Sequence, residues 1–230
     1  LHSRTKGEVL AFDGKTLRHS FDSACGLPVI YMVSVWAERV RLVLGQVKIE
    51  EKSNEIPAVP ALLALLDITG CMVTSDTMSC QKATAVQIIS QGGDYVLAVK
   101  DNRPALAQAI LHRFEYVRSH RFEAADYRDC TQSYKGHGRI ETRRCELITL
   151  PEQDFLWGDL QQAWSGLRSL ACITCARPVG EKLSTEVRYS ISSLAGSVQK
   201  VLGAVRQHWG IENRLQYVLD VSLDEDACRI

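Results

Sequence analysis

Residues 71–99 read Cys71-Met-Val-Thr-Ser-Asp-Thr-Met-Ser-Cys-Gln-Lys-Ala-Thr-Ala-Val-Gln-Ile-Ile-Ser-Gln-Gly-Gly-Asp-Tyr-Val-Leu-Ala-Val99. Cys71–Ser75 is a short, largely apolar run and predicts a strand that delivers Asp76 at its end. Gln81–Ser90 predicts a helix, stopped by Gly92-Gly93. Tyr95–Val99 predicts a second strand. Strand, helix and strand in succession imply helices layered on a sheet. Upstream, Val9–Phe12 predicts a strand ended by the turn dipeptide Asp13-Gly14. Val29–Val40 and Arg41–Ile49 are rich in β-branched residues and predict two more strands in a meander. Pro57 and Pro60 precede a compact helix over Ala61–Asp67 that closes near Gly70. Downstream, a long helix is expected from Pro104 to Val117. The order is three strands, then helix, strand, helix, strand, helix: an α/β fold with a mixed sheet flanked by helices.

From Tyr127 to Leu194 the texture changes to strand-like runs, broken at Lys135-Gly-His-Gly138 and Pro178-Val-Gly180. This predicts a β-rich insertion. Helical periodicity returns from Val198. The expected division is a core over residues 1–125, an insertion over 126–195 and a final core helix over 196–230. The chain starts at Leu1 without methionine and stops at Ile230 just after a patterned segment, as an excerpt of a longer polypeptide would.

The composition is that of an ordinary globular protein, 46% hydrophobic and 23% charged, in 230 residues. Net charge is zero, unlike that of a dedicated basic DNA-binding domain. A DNA enzyme can still be neutral when acidic catalytic residues offset a basic groove. The eight cysteines are irregularly spaced. Cys172 and Cys175 form a C-x-x-C pair, but a strand sends positions three apart to opposite faces. Buried thiols in a reducing compartment are therefore expected rather than a zinc ribbon. The longest apolar run, Ala61–Leu66, is too short to span a bilayer, and no membrane partner is expected.

Three acids stand out. Asp13 and Asp76 are expected at strand ends. Glu212 lies seven residues after Val205 and seven before Leu219, so it is expected within a stripe with Trp209 and Leu215. A carboxylate turned toward a core costs several kcal/mol unless compensated. Asp-Gly is a common turn, Asp76 is a candidate helix N-cap and Glu212 is a candidate partner of His208, so each acid alone has a structural reading. Together they suit Mg²⁺ or Mn²⁺, which prefer hard oxygen ligands. Two such ions about 4 Å apart activate a water and stabilise the leaving oxygen of a phosphodiester. Gly14-Lys15-Thr16 resembles the end of a phosphate-binding loop, but the required upstream glycine position holds Val9. Lys135, His137, Arg139, Arg143 and Arg144 form a basic cluster. Arg139, Glu141 and Arg143 would share one strand face, as a solvated edge or as a phosphate contact. Lys100-Asp-Asn-Arg103 follows a strand, either as a plain strand-to-helix turn or as a turn that puts a cation near a substrate phosphate.

Several segments recur together in one protein group. They are Phe12-Asp-Gly-Lys-Thr-Leu-Arg18, Leu44-Gly-Gln46, Glu51-Lys-Ser-Asn-Glu-Ile-Pro57, Ser75-Asp76 with Cys80-Gln81, and Asp94-Tyr-Val-Leu97. His137-Gly-Arg-Ile-Glu141, Tyr189-Ser-Ile-Ser-Ser-Leu194, and His208-Trp-Gly-Ile-Glu-Asn213 with Leu219-Asp-Val221 complete the set. In this combination the chain resembles the H-repeat-associated branch of the bacterial DDE insertion-sequence transposases.

The resemblance implies a ribonuclease H-like mixed sheet with the β-rich insertion before the last catalytic helix. It places the catalytic and metal-binding acids at Asp13, Asp76 and Glu212, with two Mg²⁺ or Mn²⁺ ions. The implied reaction is cleavage at transposon-end DNA, then attack of the freed 3′-hydroxyl on target DNA. Double-stranded DNA is the implied partner and a homodimer a candidate assembly, in the bacterial cytoplasm and associated with the nucleoid. Lys100, Arg139, Arg143 and His208 are the expected DNA contacts. Related transposases surround the glutamate with a Y-x2-R-x3-E-x6-K signature; here its tyrosine, arginine and lysine positions hold Val205, His208 and Leu219. Lys100-Asp-Asn-Arg103 and Gln216-Tyr217 also depart from the usual residues. The alternative is a degenerate, inactive transposase remnant that keeps the fold and DNA binding.

Overall fold

The computed structural model describes residues 7–17, 20, 29–49, 55–76, 79–100, 103–120, 125–136, 139–152, 157–179 and 182–225. The side chains of residues 55, 136, 139 and 179 are outside this description. The chain forms two compact units, one of residues 1–94 and 204–230, the other of residues 95–203.

In the first unit β1 (Val9–Leu17), β2 (Ile30–Ala37), β3 (Leu42–Ile49) and β4 (Met72–Ser75) lie in the order β3-β2-β1-β4. The first three form an antiparallel meander, and β4 runs parallel to β1. Helices α1 (Glu55–Ala64) and α2 (Lys82–Ser90) pack together. Gln87 Nε2 donates to the Pro60 carbonyl at 2.9 Å and Gln91 Nε2 to that of Leu63 at 3.1 Å. Leu10, Phe12, Leu63, Ile68, Val73 and Ile88 are fully buried.

Three local expectations are corrected here. Asp13-Gly14 is not a turn and Asp13 does not end the strand. β1 stays paired with β2 as far as Leu17 opposite Ile30, because the meander supplies a ladder partner throughout. What ends near Asp13 is the parallel pairing with β4, at Phe12 opposite Ser75. The first helix starts at Glu55, six residues before Ala61, and contains Pro60. Pro57 lies in the first turn, where helix N–H groups lack intrahelical acceptors, whereas Pro60 lies inside the helix and gives up one backbone hydrogen bond. Gly92 does stop α2, with φ +73, where the missing side chain removes the strain.

In the second unit β5 (Asp94–Val99, its first residue in the first unit), β6 (Asp126–Gly136), β7 (Arg139–Thr149), β8 (Ser169–Val179) and β9 (Lys182–Ser192) lie in the order β5-β9-β8-β7-β6, all antiparallel. The breaks expected around residues 135–138 and 178–180 fall at the two hairpin ends; His137, Gly138 and Gly180 lie outside the described residues. Helix α3 (Pro104–Ser119) opens on proline and buries Leu106, Ile110, Phe114 and Val117. That i, i+4, i+8, i+11 spacing makes one apolar stripe. A short helix, α4 (Gly158–Ala163), interrupts the strands. Cys172 and Cys175 lie on β8 and do not converge, as strand alternation requires; Cys71, Cys80, Cys130, Cys145, Cys172 and Cys175 are free thiols.

The C-terminal helix begins as α5 (Val198–Gly210), widens into a π-helix at Ile211–Gln216 and ends as α6 (Tyr217–Val221). No helix among the described residues is long and apolar enough to cross a membrane.

Candidate active site

Strand alternation puts Ala11, Asp13 and Lys15 on one face of β1. Register places Trp36 opposite Ala11 on β2 and Thr74 beside Ala11 on β4. The C-terminal helix lies on this face. His208 Nδ1 is 3.0 Å from Thr74 Oγ1, Ile211 packs on Ala11 and Trp36, and Leu215 joins that cluster. Further along, Gln216 Nε2 donates to Asp13 Oδ2 at 2.7 Å. Lys15 Nζ then reaches Asp220 and, at 2.8 Å, Glu225 Oε2. Burial alone would lower the Lys15 pKa, but its hydrogen bonds to Asp220 and Glu225 prevail and raise it. Gly14-Lys15-Thr16 is therefore mid-strand, and its lysine ties down the helix end.

The expected stripe containing Glu212 is corrected. Ile211 is fully buried, whereas Glu212 is exposed and Trp209, Leu215 and Leu219 are only partly buried. The i→i+5 bonding of the π-helix changes the angular step between residues, so a stripe drawn with the α period does not carry through it.

Asp13 is the electrostatic centre of the face. Burial pushes its pKa up from 3.8 to about 7, helped by the like charges of Asp76 and Glu212 and opposed by the hydrogen bonds from Gln216 and Gly14. The Gly14 N–H donates to Oδ1 at 3.0 Å. Asp76 follows β4 and accepts a long hydrogen bond from the Ser79 N–H at 3.4 Å. It is not the N-cap of α2, which is Gln81. The three acids from distant segments thus belong to one electrostatic neighbourhood. Their chemistry fits a hard divalent cation, which would relieve the repulsion and favour ionised Asp13. Among the described residues no three acidic, histidine or cysteine side chains stand close enough to enclose one ion.

The expected DNA contacts are placed differently. His208 is partly buried against Thr74. Arg139 has its backbone opposite Gly136, and its side chain lies outside the described residues. Arg143 Nη2 pairs with Glu141 Oε2 at 3.1 Å. Register puts Cys175 opposite Arg143 and Glu186 opposite Cys175, on one sheet face. Arg188 pairs with Glu186 at 2.8 Å, and Arg188, Lys100 and Arg177 together hold the Glu186 carboxyl below its ordinary pKa. One patch of the second unit therefore carries Lys100, Arg143, Arg177 and Arg188 against Glu141 and Glu186. Sequence reading missed Arg177 and Arg188. Each occupies an ordinary strand position, and only cross-strand register joins them to Arg143.

The profile of the transposase DDE domain matches residues 4–230. The chain belongs to this transposase family. It is 39% identical over 233 residues to both "H repeat-associated putative transposase YhhI" and "Putative protein YbfL" of Escherichia coli strain K12. It is 40% identical over 232 residues to "Putative transposase YncI" of Escherichia coli O157:H7. These alignments cover 100% of the chain, 60% of the first two proteins and 58% of the third. The chain thus spans about 60% of the length of these curated relatives, within the H-repeat-associated branch of the DDE transposases.

Proposed function

We propose that the chain is the catalytic part of a DDE transposase that cleaves transposon-end DNA and joins the freed 3′-hydroxyl to target DNA. The observation that carries this reading is the burial of Asp13 where the C-terminal helix reaches it through Gln216, with Asp76 and Glu212 near enough to add like charge. Asp13 and Asp76 would hold a divalent ion between them, and Glu212 would complete a second site. When bound, Mg²⁺ or Mn²⁺ there supplies activation of the attacking oxygen and neutralisation of the leaving one. Gln216 orients Asp13 through its hydrogen bond. Lys100, Arg139, Arg143 and His208 remain the proposed DNA contacts, with Arg177 and Arg188 added, and the partner is duplex DNA in the bacterial cytoplasm. The ribonuclease H-like core over residues 1–125 and 196–230, interrupted by an insertion at 126–195, is part of this proposal. It is supported by the β3-β2-β1-β4 order with parallel β1 and β4. A homodimer is the proposed assembly.

The deciding experiment is Mn²⁺-dependent nicking of transposon-end DNA by the complete protein. Glu212→Ala is expected to lower the rate at least 100-fold, an estimate of roughly 3 kcal/mol in the barrier. Equal nicking by the variant would remove Glu212 from the site. A second reading, an inactive remnant that still binds DNA, rests on the departures from the usual family residues at Lys100-Asp-Asn-Arg103 and Gln216-Tyr217. It would be upheld by DNA binding without nicking in the wild type.

Phosphate contact predicts salt dependence. The double substitution Arg143→Gln with Arg177→Gln should flatten the plot of log affinity against log salt by about one unit per arginine. An unchanged slope would show that this patch does not face the DNA backbone.

A further inference from the structure

Glu38 follows β2 and is 8% exposed. A buried carboxylate must be compensated, and an ion pair is a costly way to fill that space for stability alone. Trp36 Nε1 donates to Glu38 Oε2 at 2.7 Å, and Arg214 Nη1 lies 2.7 Å from Oε1. The carboxylate also presses on the helix backbone at Gly210. A Cβ on Gly210 would fall 1.9 Å from Glu38 Oε2 and 3.0 Å from Oε1. Gly210 has an ordinary helical φ of −62, so the backbone conformation does not call for glycine. Room for the carboxylate does.

These contacts lie on either side of Glu212 in the sequence. Gly210 precedes Glu212 by two positions and Arg214 follows it by two. They also bracket the start of the π-helix at Ile211, whose side chain packs on Trp36. The widened turn is irregular and has no strong intrinsic preference to form here. Glu38 meets it from outside at two points, Gly210 just before its start and Arg214 within it.

We propose that Glu38 is a positioning residue of the metal site. It holds the π-turn in register through Gly210 and Arg214, so that Glu212 and Gln216 reach the surroundings of Asp13. The inference rests on the reading of Asp13, Asp76 and Glu212 as metal-binding acids.

The test is Mn²⁺ binding to the full chain at pH 8 by titration calorimetry, with metal-free melting curves alongside. Glu38→Gln keeps the side-chain shape and the acceptor for Trp36 but removes the charge that holds Arg214. It is expected to weaken Mn²⁺ binding about 10-fold or more, the usual cost of losing an outer-shell partner. Glu8→Gln is the control. Glu8 is also a buried carboxylate, bound by the Arg39 N–H at 2.5 Å and by Arg39 Nε at 3.3 Å. Its loss should lower stability and leave Mn²⁺ affinity unchanged. Should Glu38→Gln fail to fold, Arg214→Met carries the same expectation. Wild-type affinity in the Glu38 or Arg214 variant, with affinity lost in Asp13→Asn, overturns the positioning role and leaves the metal-site reading standing. Equal losses in the Glu38 and Glu8 variants overturn it too. Absence of Mn²⁺ binding in the wild type overturns both.

Discussion

Asp13→Asn is expected to raise the melting temperature of the metal-free chain at pH 8 and to abolish its stabilisation by Mn²⁺. The cause is the rise of the Asp13 pKa from 3.8 to about 7. A folded-state pKa above the unfolded one means that folding favours the protonated acid. The associated stability is complete below about pH 4 and is lost as pH rises through 7. At pH 8 the ionised carboxylate costs the fold roughly 4 kcal/mol by linkage. Asparagine removes that charge but offers the Gly14 N–H and the Gln216 amide only one good acceptor, which takes back part of the gain. A net rise of about 5 °C or more is expected for a chain of this size. The rise should shrink toward zero near pH 4, where the wild-type acid is already neutral. Scanning calorimetry at both pH values, with and without Mn²⁺, reads all of this. A lower melting temperature for the variant at pH 8 would refute the electrostatic account of Asp13. The same substitution should eliminate nicking, so stability and activity move in opposite directions at one residue.

Arg118→Ala is expected to destabilise the second unit by about 2 kcal/mol, less than for breaking a fully buried pair because Glu146 is buried while the Arg118 side chain is 38% exposed. Glu146 is 5% exposed. Arg118 reaches it through Nη2 at 2.6 Å and Nε at 3.2 Å, and the Tyr127 hydroxyl donates at 2.9 Å. Burial pushes the Glu146 pKa up, but Arg118 and then Tyr127 prevail and hold it below the ordinary carboxylate value. Its stabilising contribution is present above that ordinary value and is lost as pH falls through the folded one. Without Arg118, burial outweighs the support that Tyr127 and Arg144 still give the ionised acid. The variant should therefore lose more stability at pH 8 than near pH 5, where Glu146 can protonate. Amide exchange in β7 and β8 should accelerate accordingly. A loss under 1 kcal/mol, or the same loss at both pH values, would show that Arg118 is replaceable by water.

Strands and helices were legible wherever apolar spacing was regular. The helix over 104–117 and the β-rich stretch from 127 to 194 came through because each repeats a simple period. Asp13-Gly14 misled because a turn dipeptide carries no information about the neighbouring strand that keeps the chain extended. Glu212 was found by a faulty route. The α period placed it among apolar residues, while the π-helix leaves it exposed and gives the buried position to Ile211. The family resemblance carried by the recurrent segments pointed to the same residue.

The sequence by itself determined the order of elements, the transposase family and three acids worth testing, because periodicity and local motifs are properties of neighbouring residues. Only the tertiary structure decided that Asp13, Asp76 and Glu212 share one electrostatic field, that Gln216 donates a hydrogen bond to Asp13, and that Arg177 joins Arg143. It also showed why residue 210 is glycine: the Glu38 carboxylate occupies the space a side chain would fill, although 172 positions separate the two. Such relations depend on strand register and on where a widened helical turn begins. Both are set by packing between distant segments, so neither is written in any local stretch of the chain.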